Sequence, residues 1–293
     1  MKILGTQRTK TPNIRKLATG SETSLKELAN NLSKTALKRS AFDKYNEATS
    51  LEVEEVTIEL EKLPKKLDGF RLVHLSDIHH SPQTDLTHIE KAVEIANDLE
   101  PDLFLLTGDY VSHETEYVDP VAEVLGELES EHGTYACLGN HDHWTDPDLI
   151  TEKLEAQGIS VLVNSGFRFN SNGVSFWLCG VDDHMVKRTD LKAALHGSYP
   201  DEMKMLLAHN PVIIRQAARL GVDVMFSGHT HGGQIKIREN DKERKPLGRR
   251  RLSSGLHRRK DTQIYITRGI GTVVLPVRYQ CPPEISFVTL RSV

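Results

Sequence analysis

Long apolar runs are missing from this chain of 293 residues. No stretch of 18 apolar residues occurs, so a membrane-crossing helix is not expected. Cysteine is scarce and odd in number. Cys137, Cys179 and Cys281 are too few for a disulfide framework, and two of them sit in apolar runs, which points to buried free thiols. A strong charge of either sign is also lacking. The formal net charge of -4 argues against nucleic acid as a partner by global electrostatics, so any basic partner surface has to be local. The opening "MKILGTQRTKTPNIRKLATG" is basic but has no apolar signal-peptide core, and the cytoplasm is the expected location. Internal repeats and low-complexity tracts are absent as well.

What is present describes a slightly polar globular protein, with 38% hydrophobic and 27% charged residues. The length suits one large α/β domain with an appendage, or two small domains. Residues 1–50 are rich in Lys, Arg, Thr, Ser and Asn. Within them "SETSLKELANNLSKTALKRSAF" spaces Leu25, Leu28, Leu32 and Leu37 near a helical period. A basic arm followed by an amphipathic helix is expected there, packed on the domain or set against a membrane surface or partner.

From residue 51 to 293 the texture is that of a single folded domain. "LEVEEVTIELEKLP" alternates apolar and acidic residues, as a half-exposed strand does. A series of apolar runs follows, each ending in a polar cluster: "FRLVHLSDIHH", "DLFLLTGDY", "GTYACLGNHDHW", "MKMLLAHNP" and "VDVMFSGHTHGG". The early ones are separated by the helical patterns "DLTHIEKAVEIANDL" and "VDPVAEVLGELESEHG", at the spacing of βαβ units. Further strands are expected in "SVLVNSGFRFNSNGVSFWLCGVDD", with a hairpin turn at Asn172-Gly173, and in the C-terminal tail. Two sheets with helices outside is the economical α/β architecture.

In open α/β sheets ligands gather beyond the carboxyl ends of strands, and every polar cluster falls at such an end. A single H-x-H among 14 histidines arises by chance. The set is another matter. Asp77, His79, Asp109, Asn140, His209, His229 and His231 mix hard oxygens with imidazoles, which suits Mn²⁺, Fe or Zn²⁺ better than Ca²⁺. They are too many for one tetrahedral site, and two ions sharing a carboxylate is the natural solution. Two-metal sites of that kind serve phosphoryl hydrolysis.

The ordered set "SDIHH", "GDY", "GNHD", "AHNP" and "GHTHGGQ" resembles the calcineurin-like metallophosphoesterases over residues 51–293. "SGLHRRKDTQIYITRGIGT" and "PVRYQCPPEISFVTLR" are similar to a bacterial branch of small, often membrane-tethered phosphodiesterases that includes a UDP-2,3-diacylglucosamine pyrophosphatase. The resemblance implies a four-layer αββα sandwich of two mixed β-sheets. It implies two divalent metal ions, Mn²⁺ first among them, one held by Asp77, His79 and His231 and the other by Asn140, His209 and His229, with Asp109 bridging. His141 would stabilise the transition state or protonate the leaving group, with Asp142 orienting its ring. A metal-bridging hydroxide would attack a phosphodiester or pyrophosphate, on a lipid- or nucleotide-sugar substrate. A nuclease, a phosphomonoesterase and a non-catalytic scaffold are the competing readings.

His80 and the segment 235–260 depart from that pattern, and two arginines bear on the substrate. His80 stands where the branch more often has a hydrophobic residue. Arg268 and Arg278 are candidates for phosphate contact, or for capping and bridging structure. The segment 235–260, "IKIRENDKERKPLGRRRLSSGLHRRK", is strongly basic. It reads as a solvated loop or as a patch for an anionic substrate or lipid headgroups, which with residues 1–50 would place the protein at the membrane periphery.

Overall fold

Alternate residues along each strand face different cores, and that alternation builds the layers. The computed structural model describes residues 46–236 and 252–293. The expectations for the N-terminal arm and its helix, apart from residues 46–50, lie outside the described residues. So does most of the basic segment.

The first sheet has the order β1-β12-β2-β3-β4-β5, comprising β1 (Glu52–Leu60), β2 (Arg71–Leu75), β3 (Leu103–Leu106), β4 (Thr134–Ala136), β5 (Ser160–Val161) and β12 (Glu284–Ser292). Strands β2 to β5 run parallel, and β12 joins them antiparallel. The second sheet has the order β10-β11-β9-β8-β7-β6, from β6 (Ser165–Ser171), β7 (Val174–Gly180), β8 (Lys204–Leu207), β9 (Val224–Ser227), β10 (Gly255–Arg259) and β11 (Thr262–Ile266). Its β7, β8, β9 and β11 are parallel, with antiparallel edges at β6 and β10. Both sheets are therefore mixed.

Leu103 and Leu105 of β3 point inward to meet Leu178, Met205, Leu207 and Phe226 of the second sheet. Phe104 and Leu106 point outward and are covered by α1 (Leu86–Asp98), α2 (Val118–Leu125) and α4 (Pro147–Ala156). On the far side Cys179, Leu206 and Met225 are covered by α5 (Leu191–Ala194) and α6 (Ile214–Arg219). The result is the four-layer αββα sandwich. A sixth helix, α3 (Asn140–Thr145), lies at the sheet ends and carries site residues.

Local chemistry sets several boundaries. Asp85 caps α1, its carboxylate accepting from the His88 N–H, and Asp146 does the same for α4 ahead of Pro147. Asn172 and Gly173 both take positive φ, the turn that matches the twist of the β6–β7 hairpin. Two readings of the pattern need correction. The helix in "VDPVAEVLGELESEHG" ends at Leu125, before Gly126, rather than running on to Gly133. The last part of the segment 235–260 is not a loop: Gly255–Arg259 pairs with β11 as an antiparallel edge strand. All three cysteines are free and buried.

The inter-sheet layer carries much of the apolar burial, so truncation there is expected to be costly. Leu105→Ala should lower unfolding free energy by about 2–5 kcal/mol in a urea titration, the range for Leu truncation in a packed core. Leu256→Ala on edge strand β10, 41% exposed, should change it by less than about 0.5 kcal/mol.

Candidate metal centre

The polar residues gather because parallel strands from both sheets end at one edge of the sandwich. Asp77 and His79 follow β2, Asp109 follows β3, Asn140 and His141 open α3 after β4, His209 follows β8, and His229 and His231 follow β9. Each chain segment has to turn sharply as it leaves its strand. Asp77, His79, Asp109, His229 and His231 all adopt φ between 50° and 70°. That left-handed conformation is uncommon outside glycine and clusters at functional sites.

Backbone bonds tie the turns to one another. The Asp77 N–H donates to the Gly108 carbonyl, the His79 N–H to Asp109, and the Gly228 N–H to His209. Two glycines make room. A Cβ at Gly139 would collide with the Asp109 carboxylate, and one at Gly228 with Ser76 Oγ and the Asp77 carboxylate.

Three groups of potential ligand atoms result, each with its atoms within 4.8 Å of one another: Asp77, His79 and His231; His79, Asp109 and His141; Asp109, His209 and His229. Asp109 Oδ2 stands 3.1 Å from His209 Nε2 and 3.5 Å from His79 Nε2, so it lies between the outer two groups. His231 Nε2 lies 3.3 Å from Asp77 Oδ1 and 3.1 Å from His79 Nε2. His229 Nδ1 lies 3.2 Å from His209 Nε2. The two histidines of "GHTHGGQ" thus splay to opposite sides of Asp109.

The donor set fits a pair of cations. Asn140 Oδ1 is buried with no hydrogen-bond partner, although a buried amide oxygen nearly always has one. Burial drives His79 down to about 3 and His229 down to about 4, and holds His231 well below its ordinary range, so these rings are neutral with lone pairs available. Second partners fix ring orientation. The Thr107 carbonyl, 2.7 Å from His209 Nδ1, can only accept, so Nδ1 carries a hydrogen and Nε2 faces Asp109. The Ser112 carbonyl, 2.7 Å from His141 Nδ1, fixes that ring in the same way.

That contact corrects the expectation for Asp142. Its carboxylate does not orient His141. It accepts from the backbone N–H groups of Asp109, Tyr110 and Gly139, each at 2.8 Å, and so pins the loop after β3 to the start of α3. Both arginines are likewise committed elsewhere. Arg278 is fully buried and donates to the carbonyls of Arg268, Gly269, Gly271 and Cys281. Arg268 pairs with Glu284 at 3.1 Å, Glu52 at 3.2 Å and Glu54 at 3.4 Å. Neither guanidinium is left for a phosphate. His80 is structural too, its Nδ1 bonding the Thr84 carbonyl and its ring packing edge-on to Tyr117.

Sequence patterns did not single out Ser112, His113, Trp144 or Asp182. Asp182 holds His143 of α3 and accepts from Arg188 Nε at 2.9 Å. The i, i+3 and i, i+4 spacing of Asn140, His141 and Trp144 was the available signal for Trp144. A backbone carbonyl such as that of Ser112 leaves no signal at all.

Fold and site together define a four-layer sandwich with a candidate two-cation centre at the strand ends. Residues 70–233 match the family described as calcineurin-like phosphoesterase. The chain is 32% identical over 266 residues to the "Transmembrane protein with metallophosphoesterase domain" of Danio rerio, covering 84% of this chain and 59% of that protein. It is 29% identical over 255 residues to the "Uncharacterized metallophosphoesterase YkuE" of Bacillus subtilis (strain 168), covering 86% and 89%. It is 32% identical over 225 residues to the "Phosphodiesterase YaeI" of Escherichia coli (strain K12), covering 75% and 82%. The chain belongs to the calcineurin-like phosphoesterase family. No helix among the described residues is long and apolar enough to cross a membrane.

Protonation of the free protein makes cation binding pH-dependent. Burial pushes Asp77 up to about 6, so the stability tied to its protonated form is lost as pH rises through 6. Burial works against a charged His209, yet the Asp109 carboxylate pushes that ring up to about 10, and its stabilising proton is held through neutrality. A bound cation replaces the His209 proton and favours ionised Asp77. The rise in Tm on adding Mn²⁺ to chelator-treated protein should therefore grow between pH 5.5 and 8, with net proton release in calorimetry. A gain independent of pH would contradict this.

Proposed function

We propose that this chain is a dinuclear metal-dependent phosphoester hydrolase acting on a phosphodiester or pyrophosphate. The observation that carries the reading is Asp109, whose one carboxylate lies between two groups of buried ligands. A shared carboxylate fits two cations held close together, and such pairs clamp the attacking and leaving oxygens of an in-line displacement. Manganese is the proposed ion, and the mixed oxygen and imidazole donors would also accept Fe or Zn²⁺. Two divalent ions bound there would supply Lewis acidity, lower the pKa of nearby water and neutralise charge on the phosphoryl oxygens.

The chain's own residues supply the rest. Asp77, His79 and His231 would hold one ion, and Asn140, His209 and His229 the other. Gly139 and Gly228 leave the Asp109 and Asp77 carboxylates space to approach. The Asp142 carboxylate fixes the Asp109 backbone, while the His141 N–H donates to Asp109 Oδ1 at 2.8 Å and holds that oxygen in place. With Nδ1–H given to Ser112, His141 passes a proton from Nε2 to the oxygen of the leaving group. The proposed substrate carries a lipid or nucleotide-sugar group. Support for a diester comes from the Escherichia coli relative, which is called a phosphodiesterase. Residues 1–50 and the basic segment 235–260 are the proposed membrane-facing parts.

Manganese-equilibrated protein should hydrolyse bis-p-nitrophenyl phosphate and stop on chelation. Asp109→Ala should abolish turnover. His141→Ala should lower kcat by roughly 10²–10⁴-fold while metal content stays at the wild-type level. A loaded protein inert toward every mono-, di- and pyrophosphate ester tried would overturn the proposal. For the membrane part, sedimentation with vesicles rich in anionic lipid should fall when residues 1–45 are deleted, and a full-length chain that leaves such vesicles in the supernatant would refute it.

A further inference from the structure

The helix α3 does more than present Asn140 and His141. Trp144 follows Asn140 by four residues and His141 by three, so all three side chains share one helical face. The Trp144 ring meets His141 edge-on, with centroids 4.7 Å apart. The ring of His113, on the loop after β3, lies 5.0 Å from His141 on a tilted plane. An indole that touches a buried site ring would ordinarily be covered itself, yet Trp144 is 43% exposed. Its placement is not accidental packing of a frayed end. The preceding residue, His143, is turned inward and held by the buried Asp182 carboxylate, which anchors the helical turn that carries Trp144.

Resting on the hydrolase reading above, we propose that Trp144, with His113 beside it, forms a π-lined subsite for a planar aromatic leaving group. The argument is positional. The leaving oxygen has to come within reach of His141 to receive its proton, and whatever that oxygen carries then comes close to the partly exposed indole, whose ring centroid lies 4.7 Å from that of His141. A flat ring gains stacking energy there that an alkyl chain does not match, since offset or edge-on aromatic pairs are worth more than the area they bury. Stacking on one indole tolerates many rings because each presents a π face. An aryl group and a nucleobase therefore share the chemistry this subsite recognises.

The test uses the full manganese-loaded chain and three non-hydrolysable phosphonates, in which a P–CH₂ bond replaces the leaving-group P–O bond, carrying an aryl, a nucleoside and an alkyl group. Each is titrated as an inhibitor of a chromogenic diester, and separately by intrinsic fluorescence. The chain has two tryptophans, and Trp177 is buried, so Trp144 is the one open to quenching. Aryl or nucleoside phosphonate should quench the wild-type emission, and alkyl phosphonate should not. Trp144→Ala should weaken the ring-bearing inhibitor about tenfold relative to the alkyl one, and Trp144→Phe should restore most of the difference. Whichever ring compound shows the larger discrimination identifies the source. Equal weakening of all three inhibitors, or equal quenching by all three, would overturn the subsite. A wild type that turns over nothing would instead strike the hydrolase reading, and the quenching arm would still decide this proposal. Should Trp144→Ala not fold, Trp144→Phe and the wild-type quenching carry the test.

Discussion

One buried carboxylate holds the working edge of this molecule together. Asp109 leaves β3 of the first sheet and faces His209 of the second, with His79 on its other side. Burial opposes its ionised form, but His209, His79 and His141 keep its carboxyl well below the ordinary range. It therefore remains an anion in the interior, and the interior has to be arranged around it. The Asp142 carboxylate takes the Asp109 N–H, the His141 N–H takes one Asp109 oxygen, and glycine at position 139 keeps the approach open. In the free protein the His209 proton faces this anion, and a bound cation would take over that role among the neutral rings of His79, His229 and His231.

The fold exists to bring those groups to one edge, and the cost shows in the backbone. Five residues of the ligand set stand in left-handed conformations that side chains other than glycine seldom adopt. Asp, Asn and His tolerate that region better than branched residues do, which is one reason these residue types recur at the turns. The turns are held by the long inter-sheet core behind them and by backbone bonds from one turn to the next. Strain at the edge and close packing behind it are parts of one design.

Much of this was legible in the sequence because it rests on periodicity and on residue type. The alternation in β1, the hairpin at Asn172-Gly173 and the polar clusters closing five apolar runs follow from strand periodicity, turn chemistry and residue type. The ligand residues are found because Asp, Asn and His at strand ends have few other reasons to recur. The two arginines stayed open between phosphate contact and a structural role, since a guanidinium in sequence looks the same whether it meets phosphate or, like Arg278, four carbonyls. The role of Asp142 was misread because its partners are backbone N–H groups brought close only by the fold. Ser112 acts through a carbonyl that every residue possesses. Helix ends were also set locally: α2 stops at Leu125 with Gly126 as its cap, and not at the later Gly133.

The central claim is that Asp109 is shared between two cations. Electron paramagnetic resonance on protein equilibrated with Mn²⁺, together with elemental analysis, tests it directly. The account predicts two ions per chain and the spectrum of an exchange-coupled pair, as expected for ions about 3.5–4 Å apart. One ion per chain, or two giving the spectrum of isolated Mn²⁺, would contradict it.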